Sequence, residues 1–225
     1  MLTKDLIAAL TEAVRASTPV DTLRALANAR DLLGTSADEC EPLFYELARR
    51  CDELQRLRDL AGRDPLTGAA NRRTFEEELT REAARHRRTQ QPFAIILFDL
   101  DDLKHRNDNL GHAAGDEALM ALSRACLRTV RETDLVARLG GDEFAVLLPG
   151  STYVGATVLA SRLREAIEQT EVEGGSLRVS LGIAAADPTH GPVEHIVQMA
   201  DRDLYQDKAL RKARSRANGD SSAAA

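Results

Sequence analysis

Hydrophobic and polar positions follow two different spacings along this chain. Up to residue 61, apolar residues recur every three or four positions, which predicts amphipathic helices. Beyond it, continuous apolar runs alternate with helical spacings, which predicts an α/β domain. The last residues are small and polar, as is typical of a disordered chain end. We therefore predict a small all-helical N-terminal region over 1–61, an α/β domain over 62–214 and a disordered tail over 215–225.

The elements of the α/β domain follow from the same pattern. The apolar run 93–98 is typical of a central strand that is buried on both faces. Two apolar-leaning runs on either side of Gly140 and Gly141 predict a β-hairpin, because glycine permits a tight turn. We expect a mixed sheet flanked by helices. The predicted order is helix 71–89, strand 93–99, helix 101–130 with a break near Gly111, hairpin 135–148, helix 152–170, strand 177–185 and helix 193–214.

The third helix of the N-terminal region, predicted over 36–60, has apolar residues alternately three and four positions apart. This spacing produces a short seam like that of a coiled coil. Two interpretations fit it equally well. The helix belongs to a three-helix packing unit, or it is a dimerising signalling helix that feeds the next domain.

Composition narrows the range of partners and compartments. The formal net charge of −6 argues against nucleic acid as the main partner. No segment approaches the roughly 18 apolar residues of a membrane-spanning helix. The 3 cysteines have no metal-ligand spacing and suit a reducing cytosol. We expect a soluble cytoplasmic protein with neither a nucleic-acid nor a membrane partner.

Carboxylates occur at two places that the predicted fold could bring together. The central strand ends in Asp99, Asp101 and Asp102, and the hairpin tip carries Asp142 and Glu143. Mg²⁺ prefers such oxygen ligands and keeps substrate phosphates in its coordination shell. If the strand pairs beside the hairpin, Asp99 and Asp142 share a metal site suited to phosphoryl or nucleotidyl transfer. Asp101 and Asp102 fit equally well as caps of the following helix.

The hairpin sequence from Arg138 to Phe144, Arg-Leu-Gly-Gly-Asp-Glu-Phe, resembles the motif of the GGDEF family of diguanylate cyclases. Residues 99–116 resemble the metal-and-substrate segment of that family, and residues 64–73 resemble the segment that opens its domain. The resemblance covers about residues 62–214. It implies a GGDEF nucleotide-cyclase-like fold, with a central mixed sheet, flanking helices and a catalytic β-hairpin.

The resemblance also implies an activity. Two GTP molecules would condense into cyclic di-GMP with release of two pyrophosphates. Each active site would use two Mg²⁺ ions, which Mn²⁺ can replace. Because each subunit holds one GTP and the product is twofold symmetric, two subunits must face each other in a homodimer. The N-terminal helices would then raise the effective concentration of one half-site for the other.

Individual roles follow from the resemblance, residue by residue. The metal ligands are the carboxylates of Asp99 and Asp142 and the backbone carbonyl of Leu100, with Glu143 as a metal or outer-shell ligand. The catalytic residues are Asp142, Glu143 and Lys104, and either Asp142 or a metal-bound water would take the proton as general base. The substrate-binding residues are Asn107, His112, Asp116, Gly140, Gly141, Lys208 and Lys212.

Asp116 is the residue expected to select guanine over adenine. An Asp carboxylate can accept two hydrogen bonds from guanine N1–H and N2–H₂, which adenine does not offer. Asn107 is expected to help read guanine. For Asn107 and His112, loop capping and packing are the alternative roles.

A second site for the product is implied near the end of the long helix. Arg131 and Asp134 match the RxxD inhibitory site of the family, where cyclic di-GMP binds and blocks activity. Arginine can pair with phosphates and stack on guanine, so the residue types fit. Arg162, on the following helix, is a candidate second guanidinium from its spacing.

The last helix departs from the family pattern. The family commonly reads Tyr-x-x-Lys-x-x-Gly-Arg-Asn there, with Lys and Arg on the triphosphate. Tyr205 and Lys208 match, but Arg211, Lys212 and Ala213 replace the final three residues. Lys212 keeps a cation but loses the planar guanidinium, which puts GTP affinity in question. Arg211 would either block a helix-ending turn or lengthen the helix.

Three other functions compete with an active cyclase. The main alternative is a catalytically silent receptor that binds cyclic di-GMP through Arg131 and Asp134, although the intact hairpin motif argues against it. A cyclase that makes mixed GMP–AMP dinucleotides is disfavoured by Asp116. A purely structural scaffold explains neither Asp99 nor the acidic hairpin tip.

Overall fold

The chain consists of two compact units, Met1–Gly62 and Arg63–Ala225. The computed structural model describes residues 61–186 and 195–222, with the side chains of the last helix described to residue 213, and single positions before residue 61. The positions described before residue 61 are helical, in agreement with the predicted all-helical region. The apolar seam was predicted between residues 43 and 61, and of its positions only Ala61 lies within the described residues.

The second unit is built around a five-stranded sheet. Its described elements are β1 (Ala70–Asn71), α1 (Arg72–Thr89), β2 (Phe93–Leu100), α2 (Leu103–Leu110), α3 (His112–Thr129), β3 (Leu135–Gly140), β4 (Glu143–Pro149), α4 (Tyr153–Glu168), β5 (Glu171–Val172), β6 (Gly175–Ser176), β7 (Val179–Ala186) and α5 (Ile196–Ser222). The strand order is β1-β3-β4-β2-β7. Only β1 and β3 run parallel among these pairs, so the predicted α/β class with a mixed sheet is confirmed.

Most predicted elements agree with the structure, and the differences have local causes. The predicted break at Gly111 is confirmed, since this residue has φ 86° between α2 and α3. The strands β1, β5 and β6 were not predicted, because two residues are too few to establish a spacing. The last helix was predicted to end at 214 but continues to Ser222, into the range 215–225 predicted as a tail. Arg211 and Ala213 favour helix continuation where glycine would favour its end.

The two faces of the sheet are covered by different helices. Helices α3 and α4 pack on one face, and α1 and α5 pack on the other. Every residue of β2 is buried, as predicted from the apolar run 93–98, and the buried positions include Asp99 near the end of the strand. On the first face, the rings of Phe98 and Phe144 stack with centroids 5.6 Å apart. This contact joins β2 to β4 directly below the hairpin tip.

Helix α5 lies directly against the edge strand β7. A Cβ atom at Gly182 would be 2.1 Å from the carbonyl oxygen of Ala200, so only glycine permits this approach. The carboxylates of Asp203 and Asp207 accept hydrogen bonds from the backbone N–H groups of Ile183 and Leu181, at 2.8 and 2.9 Å. The helix therefore satisfies an exposed strand edge and is fixed in position along it.

Candidate active site

The central strand and the hairpin are neighbours in the sheet. Strands β2 and β4 pair antiparallel, with Asp99 opposite Glu143. The backbone N–H of Leu100 donates a hydrogen bond to the carbonyl oxygen of Asp142, at 3.1 Å. The condition for a shared carboxylate site is therefore met, because the end of β2 lies beside the tip of the hairpin.

An open cleft of about 1250 Å³ lies at this end of the sheet. Asp101, Asp102, Glu168, Arg178 and Arg211 are among its lining residues. The predicted site residues that line it are Asp99, Leu100, Lys104, Asp142, Lys208 and Lys212. The predicted residues outside its lining are Asn107, His112, Asp116, Gly140, Gly141 and Glu143. Carboxylates and cations thus face the same space, as a site for a metal-bound polyphosphate requires.

Asp99 lies at the inner end of the cleft. One of its carboxylate oxygens is 2.8 Å from the Nζ atom of Lys208. Burial raises the pKa of Asp99, and the nearby charges of Asp142 and Asp101 raise it further, although the hydrogen bond from Lys208 opposes them. Ionised Asp99 is therefore costly in this position and would be stabilised by a second cation.

The donor groups at the cleft fit Mg²⁺. Asp99 and Asp142 supply carboxylate oxygens, and Leu100 lies beside them with its backbone. Glu143 forms an ion pair with Arg72 at 3.5 Å. Within the described ranges, no three His, Cys, Asp or Glu side chains converge on one point as metal ligands. Phosphate oxygens and water would have to complete the coordination, as is usual for Mg²⁺ in nucleotide sites.

From the sequence, Asp101 and Asp102 could be caps of α2, but their side chains do not cap this helix in the structure. Asp102 has left-handed backbone angles, with φ 60°, and its side chain makes no capping hydrogen bond. Asp101 accepts a hydrogen bond from the hydroxyl of Ser180 at 2.8 Å. Burial raises the pKa of Asp101, with the Ser180 hydrogen bond and Arg211 opposing it. Asp101 therefore belongs to the wall of the cleft.

Arginine side chains hold the backbone of the hairpin tip. Arg138 donates from Nε and Nη2 to the carbonyl oxygen of Gly141, at 3.0 and 2.8 Å. Its Nη1 contacts both carboxylate oxygens of Asp64, at 3.2 and 3.3 Å. Arg72 donates from Nε to the carbonyl oxygen of Leu139 at 2.7 Å. These contacts position the peptide that carries Asp142, a role that the sequence analysis did not assign to either arginine.

The tip itself is open on its outer side. Gly140 has φ 148° and Gly141 has φ 53°, and a Cβ atom on either would meet nothing within 4 Å. The glycines are therefore needed for the backbone conformation rather than for close packing. The open backbone leaves room for a bulky ligand at the tip.

The residues expected to read the base lie on α2 and α3. Asn107 rests directly on Gly115, where a Cβ atom would be 1.8 Å from its Oδ1 atom. This Oδ1 atom is buried and has no hydrogen-bond partner. Asp116 and His112 are exposed on the first turns of α3. Packing therefore accounts for the position of Asn107 but leaves its buried acceptor unsatisfied, which is costly unless a ligand supplies a donor.

The expected product site lies beyond the other end of α3. The carboxylate of Asp134 accepts a hydrogen bond from the backbone N–H of Arg131 at 2.9 Å, and the Arg131 side chain is exposed. Arg162, on α4, donates to the carbonyl oxygen of Thr129 at 3.5 Å. The packing of α4 on α3 thus brings Arg162 next to the loop that carries Arg131 and Asp134.

Arg211, one of the cations that line the cleft, forms ion pairs that could not be predicted from the sequence. Arg211 lies 3.0 Å from Glu168 and 3.5 Å from Asp207. Its only signal in the sequence was the departure from glycine at this position. Its partners could not be inferred, since Glu168 is 43 residues away along the chain.

The mixed sheet thus brings an acidic strand end and a Gly-Gly-Asp-Glu hairpin together beside a cleft that is lined by Lys104, Lys208, Arg211 and Lys212. A family profile described as "Diguanylate cyclase, GGDEF domain" matches residues 61–214. This chain therefore belongs to the GGDEF family.

Individual relatives agree with this assignment. The chain is 34% identical over 168 residues to a probable diguanylate cyclase, DgcC, of Escherichia coli K12, which covers 73% of this chain and 45% of that protein. The chain spans less than half the length of the first curated relatives that it matches.

Solved structures show the same fold. The coiled coil and GGDEF domain of DgcB from Caulobacter crescentus, in complex with c-di-GMP, gives a TM-score of 0.66 at 25% identity, over 78% of this chain and 95% of that chain. The diguanylate cyclase SiaD of Pseudomonas aeruginosa, in complex with its activator SiaC, gives 0.61 at 31% identity, over 85% and 78%. Within the described part of this chain, every helix is too short or too polar to span a lipid bilayer.

Proposed function

We propose that this chain is a diguanylate cyclase, which condenses two GTP molecules into cyclic di-GMP with release of two pyrophosphates. The observation that carries the proposal is the meeting of Asp99 and Asp142 in one cleft with Lys104, Lys208 and Lys212. Acidic groups suited to Mg²⁺ and cations suited to phosphate are both needed for nucleotidyl transfer. The family membership and the product-bound structure of DgcB support the same reaction.

The protein groups around the cleft have distinct tasks in this reaction. Asp99, Asp142 and the carbonyl of Leu100 would hold two Mg²⁺ ions, or Mn²⁺ in their place, and Glu143 would join them when it leaves Arg72. The bound ions would withdraw charge from the α-phosphate and the leaving pyrophosphate. Asp142 accepts the proton of the attacking 3′-hydroxyl, as a carboxylate within reach of that group can do.

Cations and polar groups orient the substrate. Lys104, Lys208 and Lys212 neutralise phosphate charge, and the open backbone at Gly140 and Gly141 leaves room for the triphosphate. For the base, Asp116 accepts hydrogen bonds from guanine, and the unsatisfied Oδ1 atom of Asn107 accepts another. His112 is the first residue of α3, four positions before Asp116, and would border the base.

Two molecules of this chain are required, because each holds one GTP and the product contains both. The N-terminal unit would bring the two active half-sites together. Cyclic di-GMP would inhibit the enzyme by binding to Arg131, Asp134 and Arg162. The guanidinium groups of the two arginines can pair with its phosphates.

The cyclase proposal is tested by turnover of GTP with a matched pair of variants. Protein stripped of nucleotide is incubated with GTP and Mg²⁺, and pyrophosphate release is measured. Asp142→Asn should lower turnover by at least about 100-fold, because the general base is lost. Asp201→Asn makes the same chemical change at an exposed residue of α5 outside the cleft and should retain activity. Retained turnover in Asp142→Asn would refute the assignment.

The same proteins distinguish the alternative of a silent receptor. Binding of cyclic di-GMP is measured by calorimetry alongside turnover. A receptor binds cyclic di-GMP with no turnover in the unmodified protein. A cyclase turns GTP over, and its Asp142→Asn variant still binds the product.

A further inference from the structure

Helix α5 presents three cations to the cleft, at Lys208, Arg211 and Lys212. Lys208 pairs with Asp99, and Lys212 is exposed. Arg211 differs from both, because only 23% of its side chain is exposed and it stands among carboxylates. Its position on the wall of the cleft raises the question of what the guanidinium faces.

Two edges of the Arg211 guanidinium are held by the protein. Nη2 donates a hydrogen bond to Glu168 at 3.0 Å. Nε lies 3.5 Å from the carboxylate of Asp207, one helical turn earlier. The plane of the group is therefore fixed before any ligand arrives, which lowers the entropy lost on binding.

The third edge is still available. Nη1 is 4.0 Å from the nearest oxygen of Asp101, which is too far for a hydrogen bond. Among the described residues, the hydrogen bond to Glu168 is the only one that the Arg211 side chain makes. The protons on Nη1 can thus be donated to an acceptor in the cleft.

The chemistry of this donor suits a phosphate. A guanidinium pairs with phosphate oxygens through parallel N–H groups, whereas an ammonium acts as a point charge. Arg211 shares its cleft with Asp99 and Asp142, where the metal-bound phosphates of a substrate would lie. A ligand with more phosphate groups in the cleft would gain more from Arg211 than a monophosphate.

We propose that Arg211 is a further substrate-binding residue, which contacts the polyphosphate of the nucleotide through Nη1 and supplies the planar donor that Lys212 lacks. The proposal rests on the proposed function for its choice of GTP as the ligand. Glu168 and Asp207 are positioning residues that hold the guanidinium in place.

The test measures binding without turnover. The probe is 3′-deoxy-GTP with Mg²⁺, which lacks the attacking hydroxyl, and GMP is the comparison ligand. Arg211→Gln should weaken binding of 3′-deoxy-GTP by about tenfold or more, as expected for loss of one charge-assisted hydrogen bond. Its affinity for GMP should change by less than about twofold, because the β- and γ-phosphates are absent.

Arg164→Gln is the matched control. Arg164 also pairs with Asp207, at 2.6 Å, but lies outside the lining of the cleft. It should bind both ligands as the unmodified protein does. Melting temperatures of all variants are compared, and Arg211→Lys, which keeps the charge but not the planar group, should give a smaller loss that is again confined to the triphosphate.

Three outcomes would overturn the proposal. These are unchanged triphosphate affinity in Arg211→Gln, an equal loss for GMP, and an equal loss in Arg164→Gln, which would indicate an effect through Asp207 alone. The proposed function can fail separately. If the unmodified protein binds 3′-deoxy-GTP through Arg211 but makes no cyclic di-GMP from GTP, only the cyclase proposal is refuted.

Discussion

The contact between Asp64 and Arg138 should be among the larger single contributions to the stability of the α/β unit. Asp64 accepts hydrogen bonds from the backbone and hydroxyl of Thr67, at 2.8 and 2.6 Å, and from Arg138. Only 18% of the Asp64 side chain and 15% of the Arg138 side chain are exposed. The substitution Asp64→Asn keeps the shape of the side chain and removes its charge.

The expected cost lies between two limits. Breaking a buried ion pair costs about 3–5 kcal/mol, and an exposed pair contributes about 0–1 kcal/mol. For this largely buried pair we expect about 2 kcal/mol, which lowers the melting temperature by about 4–8 °C in a unit of this size. Because Arg138 also holds Gly141, activity should fall in the same variant.

The loss should depend on pH in a defined direction. Burial is the largest influence on Asp64 and raises its pKa, but the hydrogen bonds from Thr67 and Arg138 together outweigh it, so the pKa lies below the usual 3.8. A lowered pKa contributes stability that is complete above the unfolded value and disappears as pH falls through the folded value. The difference between Asp64→Asn and the unmodified protein should therefore shrink below about pH 4.

Thermal unfolding followed by circular dichroism measures both effects. Glu77→Gln is the control, because its ion pair with Arg73 is 3.9 Å long and more than half exposed. This variant should change the free energy of unfolding by less than about 0.5 kcal/mol. If Asp64→Asn melts like Glu77→Gln, or its deficit persists unchanged below pH 4, the reasoning about Asp64 is wrong.

Three further predictions concern other parts of the unit. Gly115→Ala should displace Asn107, whose Oδ1 atom is 1.8 Å from the new Cβ position. The variant should lose about 1–3 kcal/mol in free energy of unfolding and show a raised KM for GTP. An unchanged KM would contradict the role of Asn107. Burial raises the pKa of Cys126 to about 12, so peptide mapping after iodoacetamide treatment at pH 8 should find Cys126 modified only in unfolded protein. Arg131→Ala should relieve inhibition of turnover by added cyclic di-GMP, and an unchanged inhibition constant would mean that Arg131 does not form the product site.

The main features of the fold could be predicted because they depend on local patterns. A wholly apolar run at 93–98 defined the central strand, and the glycines at 140 and 141 defined the hairpin. The sequence left the pairing of these two elements as a condition, and the structure pairs them with Asp99 opposite Glu143. The carboxylates at the end of β2 and at the hairpin tip could therefore be grouped from the sequence only on the condition that the two elements pair, which the structure supplies.

Contacts between distant parts of the chain could not be predicted in this way. Asp64 and Arg138 are 74 residues apart, and no spacing pattern links them. Arg211 was noticed only as a departure, and its partners depend on how α5 lies along β7. The two-residue strands β5 and β6 were too short to show any periodicity.

The central claim is the synthesis of cyclic di-GMP from GTP, and product identification tests it most directly. Purified protein stripped of bound nucleotide is incubated with Mg²⁺ and equimolar GTP and ATP, and the products are identified by mass spectrometry. We predict cyclic di-GMP as the only cyclic dinucleotide. A mixed GMP–AMP product would contradict the role of Asp116 in reading guanine. Absence of any cyclic dinucleotide, in protein that still binds cyclic di-GMP, would contradict the cyclase proposal itself and favour a receptor.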